Sequence, residues 1–355
     1  MEYFLYLLLA IFSFGILIAV HEFGHFATAK LCGVKVNEFS IGMGPLLWKR
    51  QKGETLYSLR ALPIGGFCAM EGEDEDTGDP HAFSVQANWK KLIILAAGSF
   101  MNLLLGVLLV LVLVTQIQNY TKPVLKGFMD GFPLEGENGL MVGDELLRIN
   151  GERVYLYDGV TLLLDRADGP IDLVVRRNGE RVRIEDLPLE PKNYEYNGET
   201  GRLYYGLLFE SGRAVLADRL QIAWRQPMQF IQLVQLGLID LIGGKVGLRD
   251  MSGVVGIVDT ISSVGAQSET VQLGLLNVIY FVAFIAINLA VMNLLPIPAL
   301  DGGRIAFVLI NLVVTILTGK QIDPKYEGYV HMVGLILLLG LMALVAVSDI
   351  RKLFW

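Results

Sequence analysis

The sequence has little charge, few histidines and almost no cysteine. Asp, Glu, Lys and Arg make up 18% of the 355 residues, whereas soluble domains average about 25%. Two cysteines are too few for a disulfide framework. Lysine and arginine number 29 against 36 acidic residues, and the net charge of −7 argues against a nucleic-acid partner. With 53% hydrophobic residues and a mean hydropathy of +0.50, the composition predicts a membrane protein with one polar insert.

Four uncharged stretches predict four transmembrane helices, because about 20 apolar residues cross a bilayer. They cover residues 4–20, with an apolar pattern that continues to residue 31, and residues 92–115, 271–300 and 329–348. Residues 305–317 are also apolar, but they are too few to span, so we interpret them as a half-helix docked against the bundle. The first stretch is not interpreted as a signal peptide, since it lacks a basic start and a small-residue cleavage site and is too long.

The distribution of lysine and arginine predicts the orientation. Eight of them lie in residues 30–91 and none before the first stretch, so this loop is predicted to be cytoplasmic and the segment 116–270 external. Arg351 and Lys352 then lie outside, against the rule. The predicted parts are a first transmembrane helix at 1–31, a cytoplasmic loop with a membrane-associated sheet at 32–91, a second transmembrane helix at 92–116, an extracytoplasmic domain at 118–210, an amphipathic helix and connector at 218–270, a third transmembrane helix with a half-helix at 271–318, and a fourth transmembrane helix at 328–350.

The loop and the polar insert contain strand patterns. Residues 34–41 and 55–62 alternate apolar and polar residues around a glycine-rich centre, which predicts a small sheet lying against the membrane. In the insert, Asn178-Gly179 joins two strand-like runs and indicates a hairpin. Apolar residues at helical spacing in 220–242 predict either an interfacial helix or a helix packed on the external domain. Cys32 and Cys68 are interpreted as reduced thiols of the cytoplasmic loop.

The end of the first stretch reads His21-Glu22-Phe23-Gly24-His25. Histidines four residues apart share a helix face and can bind one zinc ion, while Glu22 can reach a water molecule on that ion. The next charge is Lys30, nine residues on, so His21 lies roughly 13 Å deeper in the membrane at 1.5 Å per residue. Imidazole and carboxylate groups at such depth mark a functional site by default. The motif therefore predicts a zinc site inside the membrane.

A zinc ion held by two histidines requires a third protein ligand. His81 and His331 are candidates by residue type, but we interpret both as structural or solvated. Asp301 is the better candidate, because it is the only acid between residues 270 and 321 and lies at the cytoplasmic end of the third stretch. Pro296 and Pro298 break the helix just before it, and broken backbone at membrane depth lines protein or a watery cavity.

These motifs carry a resemblance. HEFGH in the first stretch, with NLLPIPALDGG in the third, resembles the site-2 protease family of intramembrane zinc metalloproteases. Residues 138–151 (NGLMVGDELLRING) are similar to the core of PDZ domains. Four spans with one PDZ insert resemble the bacterial branch that includes the sigma-E-regulating protease and its Gram-positive counterparts. Two motifs depart from the family: AGP reads Ala97-Gly98-Ser99, and SGPVGI reads SGVVGI at residues 252–257.

The resemblance implies one Zn²⁺ ion and a set of site residues. It assigns the metal to His21, His25 and Asp301 and the general base to Glu22. It assigns substrate binding to Asn288, Asn293, Gly42, Met43 and Gly44. Asn288 and Asn293 are five residues apart and are expected to face roughly one lumen, with interhelical hydrogen bonding as the alternative. The glycine loop and its hairpin are expected to take up substrate by strand addition.

The implied fold is a polytopic α-helical membrane protein of four transmembrane helices, with a membrane-associated β-hairpin and one inserted PDZ-like α+β domain. The implied location is the bacterial plasma membrane, with lipid as a partner. The implied function is cleavage of single-span proteins, such as anti-sigma factors or signal-peptide remnants, after external trimming, with the PDZ domain as a sieve or a recruiter. Two rivals stay open: a membrane zinc protease with a cytosolic active site, and a non-catalytic PDZ scaffold. The oligomeric state is not predicted.

Overall fold

The computed structural model describes residues 2–73, 77–194, 203–247, 252–320, 322 and 324–354. They divide into two units, Met1–Val110 with Phe230–Trp355, and Leu111–Gln229. Residues 195–202 of the predicted PDZ segment and 248–251 of the predicted connector lie outside the described residues. The helices are α1 (Glu2–Leu31), α2 (Asn88–Gln116), α3 (Tyr157–Asp165), α4 (Leu216–Ile242), α5 (Val254–Ala266), α6 (Val271–Asn293), α7 (Asp301–Thr318) and α8 (Pro324–Phe354). The strands are β1 (Val36–Lys52), β2 (Thr55–Met70), β3 (Asn119–Phe128), β4 (Glu145–Ile149), β5 (Glu152–Arg153), β6 (Ile171–Arg177), β7 (Glu180–Leu187), β8 (Lys192–Asn193), β9 (Leu203–Tyr204) and β10 (Leu207–Arg213).

Five of the described helices are long and apolar enough to cross a membrane: α1, α2, α6, α7 and α8. They identify a multi-pass membrane protein, with one such helix more than the four predicted. The additional helix is α7. It covers Asp301–Thr318, so the shorter range predicted for it, 305–317, is wrong. Asp301, two glycines and Arg304 form its first turn, and an acid is favoured at this end of a helix. With this turn included, α7 has 18 residues. Val308 of α7 packs in a buried cluster with Ala29 near the end of α1 and Ile94 near the start of α2.

Glycines let α1, α5 and α6 pack closely. Tyr6 of α1 is 2% exposed and lies against Gly265 of α5 and Gly274 of α6. A Cβ atom at these glycines would come within 2.6 Å of the tyrosine ring and 2.2 Å of its hydroxyl. Small residues that allow backbones to approach are the usual basis of helix packing in membranes. The N-terminal half of α1 is therefore fixed against α5 and α6.

The SGVVGI segment joins α5 to α8. The Asp349 carboxylate of α8 accepts hydrogen bonds of 2.9 Å from the backbone N–H groups of Gly253 and Gly256 at the start of α5. An acid is favourable there, because the first N–H groups of a helix have no partner within the helix. A Cβ atom at either glycine would lie 3.0 Å from this carboxylate. The two glycines thus admit the acid of a neighbouring helix.

β1 and β2 form a hairpin whose strands bend back on themselves. Residues 38–41 pair with 66–69 on one side and with 56–59 on the other. Gly42 and Gly44 lie at the bend with φ of 84° and 80°, values that glycine adopts without strain. Large apolar side chains are exposed around this bend, namely Ile41, Met43, Leu46, Leu47, Trp48, Leu59 and Leu62. The hairpin has the apolar surface that a membrane-associated sheet requires.

The unit Leu111–Gln229 is an α+β domain. Its sheet has the strand order β10-β3-β4-β6-β7, with β5 paired to β4. Asp144 is fully buried beside β4, and Arg177 at the end of β6 donates to both of its oxygens at 2.8 and 2.7 Å. The predicted turn joins β6 to β7, and Asn178 and Gly179 have the positive φ angles, 52° and 87°, that a type I′ hairpin requires. A buried bidentate ion pair therefore ties two neighbouring strands.

α4 combines features of both predictions for residues 220–242. On one side Asp218 pairs with Lys122 of β3 at 3.1 Å, so the start of the helix packs on its own unit. On the other side Leu216, Leu220 and Trp224, spaced four residues apart, are exposed. The contact of Asp218 lies just before residues 220–242, and for these residues both packing on the domain and contact with a membrane stay predictions.

Candidate metal centre

One face of α1 carries two imidazoles. His21 and His25 are one helical turn apart, and their Nε2 atoms are 3.2 Å from each other. The His25 ring is buried, and its Nδ1 lies 2.9 Å from the carbonyl oxygen of Ile94 in α2. This contact holds His25 with Nε2 turned toward His21.

A break between α6 and α7 brings an acid to the same point. Pro296 and Pro298 cannot continue α6, because proline lacks the N–H that the helix uses. Ala299 then adopts a φ of 74°, which is rare for a residue with a Cβ atom. Its N–H donates to Nδ1 of His331 in α8 at 3.0 Å. The loop thus has a fixed shape, and Asp301 directly after it is the first residue of α7.

Three ligand atoms meet at this point. Asp301 Oδ2 lies 3.2 Å from His21 Nε2 and 3.3 Å from His25 Nε2. Among the described residues, these three side chains are the one group able to hold a metal ion. A tetrahedral zinc ion about 2.0–2.1 Å from each ligand places the ligands about 3.3 Å apart. Asp301 Oδ2 is buried and meets no hydrogen-bonding partner besides the two imidazoles. The donor set and its spacing therefore fit zinc.

Two glycines allow α1 and α2 to meet behind the imidazoles. A Cβ atom at Gly24 would lie 2.4 Å from the Ala97 carbonyl oxygen, and one at Gly98 would lie 2.3 Å from His25 Nε2 and 2.7 Å from His21 Cε1. Neither glycine was a predicted site residue, although both lie in motifs that the sequence analysis quoted. Their role depends on a helix crossing, which the sequence of one helix does not reveal.

Glu22 lies on α1 between the two histidines. It is half-buried, the backbone N–H of Cys68 donates to its carboxylate, and the Cβ position of Gly66 lies 3.4 Å from its Cγ. The last residues of β2 therefore fix Glu22 from the side opposite α1.

The ligand atoms and Glu22 open onto a cavity of about 660 Å³. Residues 67–70 of β2 line one wall, and Glu73 and Arg304 at its edge pair at 2.6 Å. This volume is within the usual range for ligand sites, about 300–1,000 Å³. Burial, with the charges of Glu22 and Glu73, raises the pKa of the Cys68 thiol in this wall to about 12. Cys68 is therefore a neutral thiol, and neither cysteine forms a disulfide.

The other predicted residues lie away from the cavity. Asn288 and Asn293 are half-buried on α6, and neither lines it. Five residues of an α-helix turn through about 140° beyond a full circle, so helical geometry does not favour the expectation that they face one lumen. His81 is 68% exposed and pairs with Asp79, and His331 contacts the loop before Asp301 rather than the three ligand atoms.

The glycine loop of β1 packs on β2 rather than on His21, His25 and Asp301, the candidate metal-ligating group. A Cβ atom at Gly42 would lie 2.7 Å from the Leu62 carbonyl oxygen, and Met43 covers Gly65, whose Cβ position lies 2.7 Å from its side chain. Gly42, Met43 and Gly44 therefore determine the shape of the hairpin that forms the cavity wall. Their contact with substrate stays a prediction.

A membrane protein whose helices join two histidines and an aspartate in zinc-like geometry belongs to the class of membrane-embedded zinc metallopeptidases. The model of peptidase family M50 matches residues 9–341, and the chain belongs to this family, the site-2 proteases. A Clostridium acetobutylicum protein named as a zinc metalloprotease is 33% identical over 347 residues, which are 97% of each chain. One of Fusobacterium nucleatum is 34% identical over 356 residues, covering 98% of this chain and 99% of its own. The regulator of sigma-W protease RasP of Bacillus subtilis is 28% identical over 427 residues, covering 97% and 98%.

These similarities confirm three predictions from the sequence: the family, the activity class of zinc metalloprotease, and Zn²⁺ as cofactor.

Proposed function

We propose that the protein cleaves transmembrane segments inside the membrane, with one zinc ion held by His21, His25 and Asp301. The observation that carries this proposal is the meeting of three ligand atoms at 3.2–3.3 Å within apolar helices. When bound, zinc polarises a scissile carbonyl and lowers the pKa of water to about 7.

Glu22 acts as the general base. It follows His21 directly, and it shares the cavity with the three proposed ligands. Its carboxylate takes the proton of the attacking water and delivers it to the leaving amine. The N–H of Cys68 restrains the carboxylate, so that the proton acceptor keeps one position while the substrate is bound.

The last residues of β2 receive the substrate. A transmembrane helix must unwind before a peptide bond in it becomes accessible, and an unwound segment can add to an exposed strand. Residues 67–70 line the cavity beside Glu22, while the same stretch pairs with residues 36–40 on its other side. The bend at Gly42–Gly44 gives the hairpin the shape that supports this wall.

The chain crosses the membrane four times, by α1, α2, α6 and α8. α8 contacts the Asp301 loop through His331 and α5 through Asp349, eighteen residues later and about 27 Å along the helix. The same end of α5 lies against the first turn of α1, where the Tyr3 hydroxyl donates to Asp259 at 2.7 Å. α8 therefore runs from the level of the metal site to the level where α1 begins. α7 starts at the level of the metal site, and α8, which follows it, begins near the same level. α7 therefore does not cross the membrane. The Lys/Arg bias indicates that the metal-site side of the membrane is cytoplasmic.

The external unit is a PDZ-like domain that excludes untrimmed substrates. The GLMVGDELLRING segment contains β4 of its sheet, and the Asp144–Arg177 pair explains the acid of that motif. The substrates are single-span proteins, either anti-sigma factors or signal-peptide remnants. One relative is named as a regulator of sigma-W protease, which supports the former.

The Glu22→Gln variant tests the activity. The purified variant is expected to retain one zinc ion per chain but to cleave single-span substrates at least about 100-fold more slowly, because general-base catalysis contributes that much. Glu54→Gln, in the hairpin and paired with Lys30, is the matched control and should cleave normally. Cleavage by Glu22→Gln above a few per cent of wild type contradicts the proposed base. A wild type without zinc supports the scaffold instead, and cleavage of soluble peptides alone supports a cytosolic active site.

A deletion tests the external domain. The first residue of β3, Asn119, pairs with the last residue of β10, Arg213, and Ala214 N–H donates to the Gln118 carbonyl at 2.8 Å. Residues 119–213 can therefore be replaced by a short Gly/Ser bridge. A sieve predicts that untrimmed substrates become cleavable, whereas a recruiter predicts slower cleavage of trimmed ones. Continued rejection of untrimmed substrate by a variant that still cuts trimmed substrate contradicts the sieve.

A further inference from the structure

A third position of α2, Asn102, faces the metal-ligating group from behind. It is 1% exposed, and its amide nitrogen lies 3.4 Å from Nδ1 of His21. Its amide oxygen is buried and has no hydrogen-bonding partner. A buried amide with one end against a proposed zinc ligand and the other end unsatisfied requires an explanation, since buried polar groups normally find partners.

The tautomer of His21 supplies the explanation. A neutral imidazole that gives Nε2 to a metal carries its proton on Nδ1, and that N–H needs an acceptor. His25 has such an acceptor in the Ile94 carbonyl at 2.9 Å. An amide N–H directed at Nδ1 of His21 would instead favour the tautomer with the proton on Nε2, which cannot bind a metal through Nε2. A half-turn of the Asn102 amide exchanges its oxygen and nitrogen and provides the acceptor.

We propose that Asn102 is the positioning residue of the metal site, its amide oxygen accepting the Nδ1–H of His21 and so keeping Nε2 free for zinc. The inference rests on the proposed role of His21 as a ligand. It accounts for one face of α2 as a whole, because residues 94, 98 and 102 are spaced four apart. The carbonyl of Ile94 orients His25, Gly98 makes room for both rings, and Asn102 orients His21.

Three substitutions separate this role from packing. Asn102→Leu keeps the volume and removes the acceptor, and the zinc Kd is expected to rise about 10- to 100-fold, the usual effect of losing a partner of a metal-bound histidine. Asn102→Asp keeps an acceptor and cannot donate, so its zinc Kd should stay within a few-fold of wild type. Asn102→Ala, a second variant without the acceptor, should weaken zinc binding like Asn102→Leu.

The zinc Kd is measured on the purified full-length protein by competition with a chelator of known affinity. The unfolding midpoint of the zinc-free protein shows whether each variant folds. Asn277→Leu is the matched control, because this amide of α6 donates to Ser268 Oγ at 3.1 Å and is not part of the metal-ligating group; its zinc Kd should not change. The ultraviolet–visible spectrum of the Co²⁺ form gives a second readout, and Asn102→Asp should reproduce the wild-type bands while Asn102→Leu alters them.

Wild-type zinc affinity in a folded Asn102→Leu or Asn102→Ala variant overturns the inference. Equal losses in Asn102→Asp and Asn102→Leu also overturn it, because they indicate that the amide acts as a donor. Asp301→Asn, measured in the same assay, distinguishes a failure of the positioning role from a failure of the proposed metal site. If it loses zinc while the Asn102 variants do not, the proposed metal site stands and the positioning role alone fails.

Discussion

The Gly98→Ala substitution adds one methyl group where α2 crosses the two imidazoles. The new Cβ atom would lie 2.3 Å from His25 Nε2, whereas ordinary contacts begin at 3.4 Å, so the atoms must separate by 3.4 less 2.3, or 1.1 Å. A zinc–nitrogen distance tolerates a change of only about 0.2 Å. The ring must therefore leave the metal, or α2 must move away from α1. In both cases we expect the zinc Kd to rise at least about 100-fold, the upper end of the effect of losing a supporting contact.

The assay is zinc competition on the purified full-length protein, together with cleavage of a trimmed single-span substrate. Gly106→Ala, two turns along the same helix, is the matched control. Its Cβ would lie 2.5 Å from Ile287 Cγ1, an atom of an apolar side chain, so Gly106→Ala should change the unfolding midpoint but not the zinc Kd. If Gly98→Ala binds zinc as tightly as wild type, the close crossing of α1 and α2 is not what fixes the ligands, and the reasoning is refuted.

Three further predictions address Asp301, the unit Leu111–Gln229 and the Cys68 thiol. Asp301→Asn should raise the zinc Kd at least about 100-fold and abolish cleavage, because a neutral amide is a poor zinc ligand; normal zinc binding would move the third ligand elsewhere. Asp144→Ala should lower the free energy of unfolding of the unit Leu111–Gln229 by about 3 kcal/mol, since it leaves Arg177 without its buried partner. Pulse proteolysis of the full-length protein over a urea series measures this, and a loss below about 1 kcal/mol contradicts it. Cys68, with its pKa raised to about 12, stays protonated up to about pH 11, so iodoacetamide should alkylate it far more slowly than the partly exposed Cys32 between pH 7 and 10; equal labelling by mass spectrometry contradicts this.

Local chemistry made much of the fold and site predictable. The histidine pair depends only on the helical repeat, and the long apolar stretches depend only on bilayer thickness. Asp301 was found as a single acid after two prolines in an apolar region. The turn at Asn178-Gly179 followed from the φ angles that these residues tolerate. Each of these signals is contained in a few neighbouring residues.

The remaining features depend on contacts between distant segments. The predicted length of α7 is too short because Arg304 ends the uncharged stretch of the sequence. In the folded protein Arg304 pairs with Glu73 and lies within the helix. The sequence of α2 alone does not mark Gly98 and Asn102, because their contacts are with the histidines of α1. His331 was considered as a ligand by its type, and only the fold reveals that it holds the Ala299 backbone.

The distance along the chain between the two halves of the metal site affects when the protein becomes active. Asp301 follows His25 by 276 residues, and the entire unit Leu111–Gln229 lies between them. A chain still emerging from the ribosome contains both histidines but lacks Asp301, the proposed third ligand, until most of the polypeptide has been made. With the proposed ligand set, an unfinished chain has two of the three zinc ligands, so we expect it to bind zinc weakly and not to cleave peptide bonds until α7 has joined α1. On the proposed mechanism, the order of synthesis therefore delays cleavage until the chain is nearly complete.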